Sequence, residues 1–306
     1  MVRTTEGPFG LALFHLAGTA LTRIWPVLSL VVLMSVGVDF GYEYFDLDET
    51  YNLTTIPFSL IGLALSIFLG FRNSACYDRY WEGRKLWGRL VNNSRTFTRV
   101  VLTLVEEQGD GLRRDLLMRQ IAFVHALRMD LRDDDNWEEL SQWLPADEIR
   151  KLADEPSVPT YIAHTIGEGV RRAWKAGRVV PLHVPFIEQC LAENSTVQGA
   201  CERIKNTPLP LSYTALTHRI VGLYVLGLPF GLHLEIGFLT PIVVFLVAYA
   251  FLGLDAIGSE IEDPFDKDHN DLPLSYLSRM IEREILRRLG VDPLPPNIQP
   301  VDGFLR

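Results

Sequence analysis

"GLALSIFLGFRNSACYDRYWEGRKLWG", residues 62–88, decides how the chain is read. The uncharged half, Gly62 to Phe71, passes without proline into a half bearing Arg72, Asp78, Arg79, Glu82, Arg84 and Lys85. With no breaker between the halves, the stretch predicts one helix that starts in an apolar medium and continues into water. Gly62, Ser66 and Gly70 then share a face at i, i+4, i+8, and Leu63, Ile67 and Phe71 form a parallel apolar stripe. Small residues let helices approach closely inside a membrane. If copies of this helix ring an axis, the small face seats a neighbour and the bulky face lines the centre. A ring of such side chains is a hydrophobic constriction that gates by dewetting. Taken alone, periodicity favours a stripe turned to lipid or to another span. Tyr77, Tyr80, Trp81 and Trp87 suit the headgroup boundary, and Asp78–Glu82 and Arg79–Glu82 have the spacing of local helix pairs.

Four segments are apolar enough to cross a bilayer of about 20 residues' thickness. They are Ile24–Val38, roughly Ile56–Phe71, Ile220–Gly237 interrupted by Pro229, and Phe238–Leu254. The connections "DFGYEYFDLDETYNL" and "LHLEIG" lack Lys and Arg, whereas Arg23, Arg72, Arg79, Arg84 and Lys85 flank the opposite ends. Basic residues stay on the cytoplasmic side, so both termini and the long middle segment are expected there, in a multi-pass protein of the cell membrane. The expected organisation is a cytoplasmic segment over residues 1–23, two spans over 24–73 and a helical cytoplasmic domain over 74–216. Two further spans follow over 217–256, then an acidic loop, a helix and a proline-rich tail over 257–306. In the middle domain, "RRDLLMRQIAFVHALRMDLR" repeats apolar residues at helical spacing. "PTYIAHTIGEGVRRAWKAG" has a proline start and a glycine stop, and "DDDNWEELSQWLPADEIRKL" splits into short helices at Pro145. The fold class is all-α.

Hydrophobic residues make up 48% of the 306 and charged residues 22%, a mixture that suits a few spans attached to a sizeable aqueous part. The net charge of −9 argues against nucleic acid or acidic lipid as a non-specific partner. Cys76, Cys190 and Cys201 lack CxxC spacing and read as reduced thiols. No zinc-protease, nucleophile-elbow, P-loop or dinucleotide motif is present. Ionisable residues are nearly absent from the spans, which argues against proton-coupled transport.

"FLGFRNSACYDRYWEGRKLWG", "CERIKNTPLP" (201–210) and "EDPFDKDHNDLPL" (262–274) resemble, in this order, three signatures of the bestrophin family. The topology is similar to its bacterial branch over essentially the whole chain. The resemblance implies a homopentamer in membrane lipid, with four transmembrane helices per subunit and one axial pore that passes small inorganic ions passively. Members include chloride channels and, among bacterial homologues, channels for monovalent cations. By position, the family's apolar neck falls on Leu63, Ile67 and Phe71, with Ile67 where human members carry bulkier aromatics. A second, cytoplasmic constriction is expected near "RVVPLHVPF", with Val180, Leu182 and Val184 as candidates. The calcium-binding loop of animal members maps to Glu260, Asp263, Asp268 and Asp271. Here Asp266 replaces a glycine, and His269 and Asn270 dilute the acidic run. Calcium is thus the one cofactor the resemblance allows, against a structural salt-bridged turn.

Three functions are carried forward: a channel, a membrane-anchored metal-dependent enzyme using the Glu260–Asp271 loop, and a helical scaffold. The channel is the expected one, and no enzymatic activity is expected. Apolar rings have no charge preference. Five copies would carry about −45 in total (five times −9), which leans the expectation towards cations.

Overall fold

A computed structural model describes residues 21–45 and 54–300, and among them every regular element is helical. Most of the expected amino-terminal segment, residues 46–53 of the first connection and the last six residues lie outside the described residues. The α-helices are α1 Leu21–Phe45, α2 Ile56–Leu104, α3 Leu112–Leu131, α4 Ala146–Leu152, α5 Val158–Lys175, α6 Val184–Asn206, α7 Leu211–Ile236, α8 Thr240–Ile261 and α9 Leu274–Arg288. Single 3₁₀ segments occupy Trp137–Gln142, Pro181–His183 and Gly237–Leu239. The described residues form two compact units, one of residues 21–45, 54–80 and 208–263, the other of residues 81–207 and 264–300.

The apolar unit contains α1, the first half of α2, α7 and α8. Its three helical runs Thr22–Phe45, Ile56–Leu104 and Leu211–Ile261 are long and apolar enough to cross a membrane. The last run is folded at Gly237, whose φ of 52° turns the chain between α7 and α8. That conformation is left-handed, and a side chain there would be strained. Pro229, read from sequence as an interruption, lies inside an unbroken α7. Leu28 and Val31 of α1 pack with Leu65 and Leu69 of α2, with Val221, Val225 and Leu228 of α7, and with Val244 and Ala248 of α8. The outer faces remain apolar and exposed, as at Leu223, Ile242, Leu246 and Ile257. A protein that leaves such faces uncovered is built for a hydrocarbon solvent.

The second unit is organised around α3, whose Leu116, Leu117, Ile121, Phe123, Val124 and Leu127 are fully buried. Its start is set by Glu107, whose carboxylate accepts from the backbone N–H groups of Gly109, Gly111 and Arg113 at 3.1–3.2 Å. A carboxylate at this end satisfies orphan donors and complements the helix dipole. Arg178 fastens the same loop by donating to Asp110 at 2.7 Å, which lowers the Asp110 carboxyl to a pKa of about 2. The expected start and stop of α5 are met by Pro159 in its first turn and by Gly177, φ 73°, after its end. Pro145 likewise precedes α4.

Two polar networks run through this unit. Asn194 donates to Gln120 at 2.7 Å, and Asn93 donates to the Asn194 amide oxygen and to the Cys190 carbonyl, each at 2.8 Å. This amide chain ties α2, α3 and α6 at a fixed register. Arg119, nearly buried, makes a two-pronged contact with Glu148 at 2.7 Å and a further one with Asp115, and these raise its pKa despite burial.

Candidate functional site

Two opposed faces define α2. Leu65, Leu69, Arg72 and Cys76 form the buried face. Leu63, Ile67 and Phe71 are 63%, 53% and 68% exposed. At 3.6 residues per turn they lie roughly opposite the buried stripe. They therefore contribute nothing to the core of their own subunit, which is the first requirement for side chains that meet others elsewhere.

The small stripe is divided between uses. A Cβ at Gly62 would lie 2.5 Å from the Tyr224 hydroxyl oxygen, so this glycine admits α7 of the same chain. Ser66, exposed, donates its hydroxyl to the Gly62 carbonyl at 2.7 Å. At Gly70 an added Cβ meets nothing within 4 Å. Sequence spacing had set all three against a neighbouring copy. Within the subunit, Gly62 is already covered, while Ser66 and Gly70 remain open.

Directly after Phe71 comes a buried ion pair that the span-by-span reading missed. Arg72 is fully buried and donates to Asp255 Oδ1 at 2.6 Å and to Ser259 Oγ at 2.9 Å, with Glu262 at 3.6 Å. The other Asp255 oxygen lies 2.6 Å from His218 Nδ1. Asn73 donates to the Leu254 carbonyl at 3.0 Å. A guanidinium supplies five fixed donors, so it can join α2 to α8 without leaving a naked charge in an apolar surround. The signal lay in position: Arg72 is the first charge after the apolar run of α2, and Asp255 the first after that of α8. Between α7 and α1, His233 Nδ1 lies 2.6 Å from Asp39 Oδ1 and its ring is 4.6 Å from that of Tyr42.

The remaining candidates fall as follows. Val180 and Leu182 are exposed on the Pro181–His183 turn, and Val184 is half-buried at the start of α6. Phe186, four residues beyond Leu182, adds a further exposed apolar side chain that sequence reasoning had not named.

The acidic loop is held by its surroundings. Asp271 is buried, and its Oδ2 accepts from the Asp268 backbone N–H at 2.7 Å. Phe265 is fully buried, and Arg132 donates to the Phe265 and Leu272 carbonyls and to Ser275 Oγ. Asp263 and Asp268 are exposed, and Glu260 is half-buried. Among the described residues no three His, Cys, Asp or Glu side chains converge as a metal site. Calcium takes six to eight oxygen ligands, and of the four carboxylates Asp271 is taken up by the turn itself.

Apolar helices with uncovered outer faces, joined through α2 to a water-facing helical unit, define a polytopic membrane protein. The chain belongs to the bestrophin family: the family model described as Bacterial/Fungal Bestrophin protein matches residues 1–287. It is 41% identical over 274 residues to a voltage-dependent anion channel-forming protein of Ralstonia nicotianae, covering 89% of each chain. A protein of the same description from Escherichia coli is 35% identical over 283 residues, covering 92% of each. The fold is similar to the crystal structure of a bacterial Bestrophin homolog from Klebsiella pneumoniae, with a TM-score of 0.82 and 34% identity, over 87% of this chain and 98% of that one. The relatives are named as channels, and the expectation of no enzymatic activity agrees with that.

Proposed function

We propose that copies of this chain assemble, five to a ring, into a membrane channel that passes small monovalent ions through an axial pore lined by α2. Each subunit contributes four spans, with both termini and the helical unit on the cytoplasmic side. Leu63, Ile67 and Phe71 form the dry neck, while Ser66 and Gly70 seat the adjacent subunit. Val180, Leu182 and Val184 supply a second narrowing below. One observation carries this reading: α2 turns an unbroken apolar stripe away from its own core and continues, without a kink residue, into the aqueous unit. The family membership and the relatives' names support the same reading.

Ion sign has two readings. The names of the relatives favour anions. The net charge of −9 per subunit favours cations. Purified protein in liposomes tests the function: ion flux without any added substrate is expected, and Ile67→Ala should raise conductance by widening the neck. Absence of flux for sodium, potassium and chloride over a range of voltages overturns the channel. A reversal potential in a sodium chloride gradient separates the two signs.

A further inference from the structure

We infer that Asp78 is the charge-selecting residue of the pore, forming the first ring of fixed charge that an ion meets on the cytoplasmic side of the neck. This rests on the α2-lined channel proposed above. Asp78 follows Phe71 by seven residues, two turns, and so returns to the same face of α2 about 10 Å further along the axis. Between them Ser74, exposed, and Ala75, half-buried, occupy that face, and both are uncharged.

Asp78 is exposed, and among the described residues no basic side chain forms an ion pair with it. Its charged neighbours are otherwise engaged or turned elsewhere. Arg72 is buried against Asp255, Arg79 donates to the Glu262 carbonyl at 3.0 Å, and Glu82 pairs with Arg203 at 2.6 Å. The next exposed charge on the face is Lys85, again seven residues on. An ion leaving the neck therefore meets carboxylates first and ammonium groups second. The apolar neck has no sign of its own, and its dry walls strengthen the field of the nearest charges. A ring of carboxylates there raises the local cation concentration and depletes anions. Asp78 thus holds down the ratio of chloride to sodium permeability whatever its absolute value.

Reversal potentials of reconstituted Asp78→Asn and Asp78→Glu, measured in sodium chloride gradients at low salt, test the inference. Asp78→Asn should raise the chloride-to-sodium permeability ratio on the order of tenfold, Asp78→Glu should leave it near the native value, and the Asn effect should shrink at high salt as the ring is screened. Because Asp78 is in no ion pair, the Asn variant should elute as the native oligomer. If it does not, the native channel carries the test: its own ratio should rise with salt concentration, and a salt-independent ratio refutes the ring. An Asn variant with native reversal potential also refutes the role of Asp78. If Ile67→Ala changes conductance in the same preparation, the neck stands and only this inference falls. If neither substitution changes the currents, α2 does not line the path.

Discussion

Arg72 and Asp255 close a 2.6 Å ion pair one residue beyond the apolar runs of α2 and α8, with the arginine fully buried. The pair lies beside the last residue of the exposed apolar stripe, Phe71, and holds the helix that carries it. Its burial turns a structural contact into a demanding one: each charge depends on the other for its solvation.

Removing one partner should therefore cost more than an ordinary surface pair. Arg72→Met leaves Asp255 with His218 alone, and Asp255→Leu leaves a buried guanidinium. Each should destabilise the protein by about 3–5 kcal/mol, against under about 1 kcal/mol for the exposed Arg89–Glu193 pair when Glu193 becomes Gln. Thermal unfolding in detergent, followed by the loss of helical signal, checks the ordering.

The two glycines of the small stripe should separate folding from assembly. Gly62→Ala places a methyl group against the Tyr224 hydroxyl and should lower the stability of the subunit by about 1–3 kcal/mol. Gly70→Ala meets nothing in its own subunit. Alanine there should preserve folding, adding up to about 1 kcal/mol of helix stability, yet weaken the oligomer. Size-exclusion chromatography with light scattering reads the oligomer and circular dichroism the subunit. An intact oligomer with Gly70→Ala or Gly70→Leu would show that this face seats no neighbour.

The contrast shows what the sequence could convey. Periodicity along one helix made the stripes of α2 legible, because residues four apart must share a face. It could not show that Tyr224, far along the chain, fills the space above Gly62. The Arg72–Asp255 pair was hidden for the same reason, since its members sit on separate helices 183 residues apart. Prolines marked the starts of α4 and α5 and a glycine the end of α5, being local backbone constraints. Pro229 misled, because α7 accommodates it within the helix. The acidic loop shows the limit of composition: four carboxylates near in sequence spread between a buried turn and open surface.

His125 ties the stability of the helical unit to acid. It is buried between Glu139 at 3.6 Å and Glu282 at 3.3 Å, stacks on Trp143 at 4.3 Å, and has Arg128 nearby. Desolvation by burial is the largest cause and lowers its pKa below the ordinary 6.5, in spite of the two glutamates. Above pH 6.5 the imidazole is neutral in both folded and unfolded chains and contributes no pH dependence. Below it the unfolded chain takes up the proton first, so stability falls as the pH drops, by up to about 1.4 kcal/mol per unit, until the folded pKa is passed. His125→Gln should flatten this part of the curve. Urea unfolding between pH 7 and pH 5 reads the slope, and an unchanged slope in the variant would assign the acid sensitivity to other groups.

The central claim is that Ile67 borders the path taken by ions. Among the described residues all three native cysteines are buried, so Ile67→Cys gives a single accessible thiol. Currents through Ile67→Cys channels should fall sharply when a small charged thiosulfonate reagent is added and recover when a reductant removes it. If mass spectrometry shows the thiol fully modified while the currents stay unchanged, Ile67 faces away from the path and the account fails.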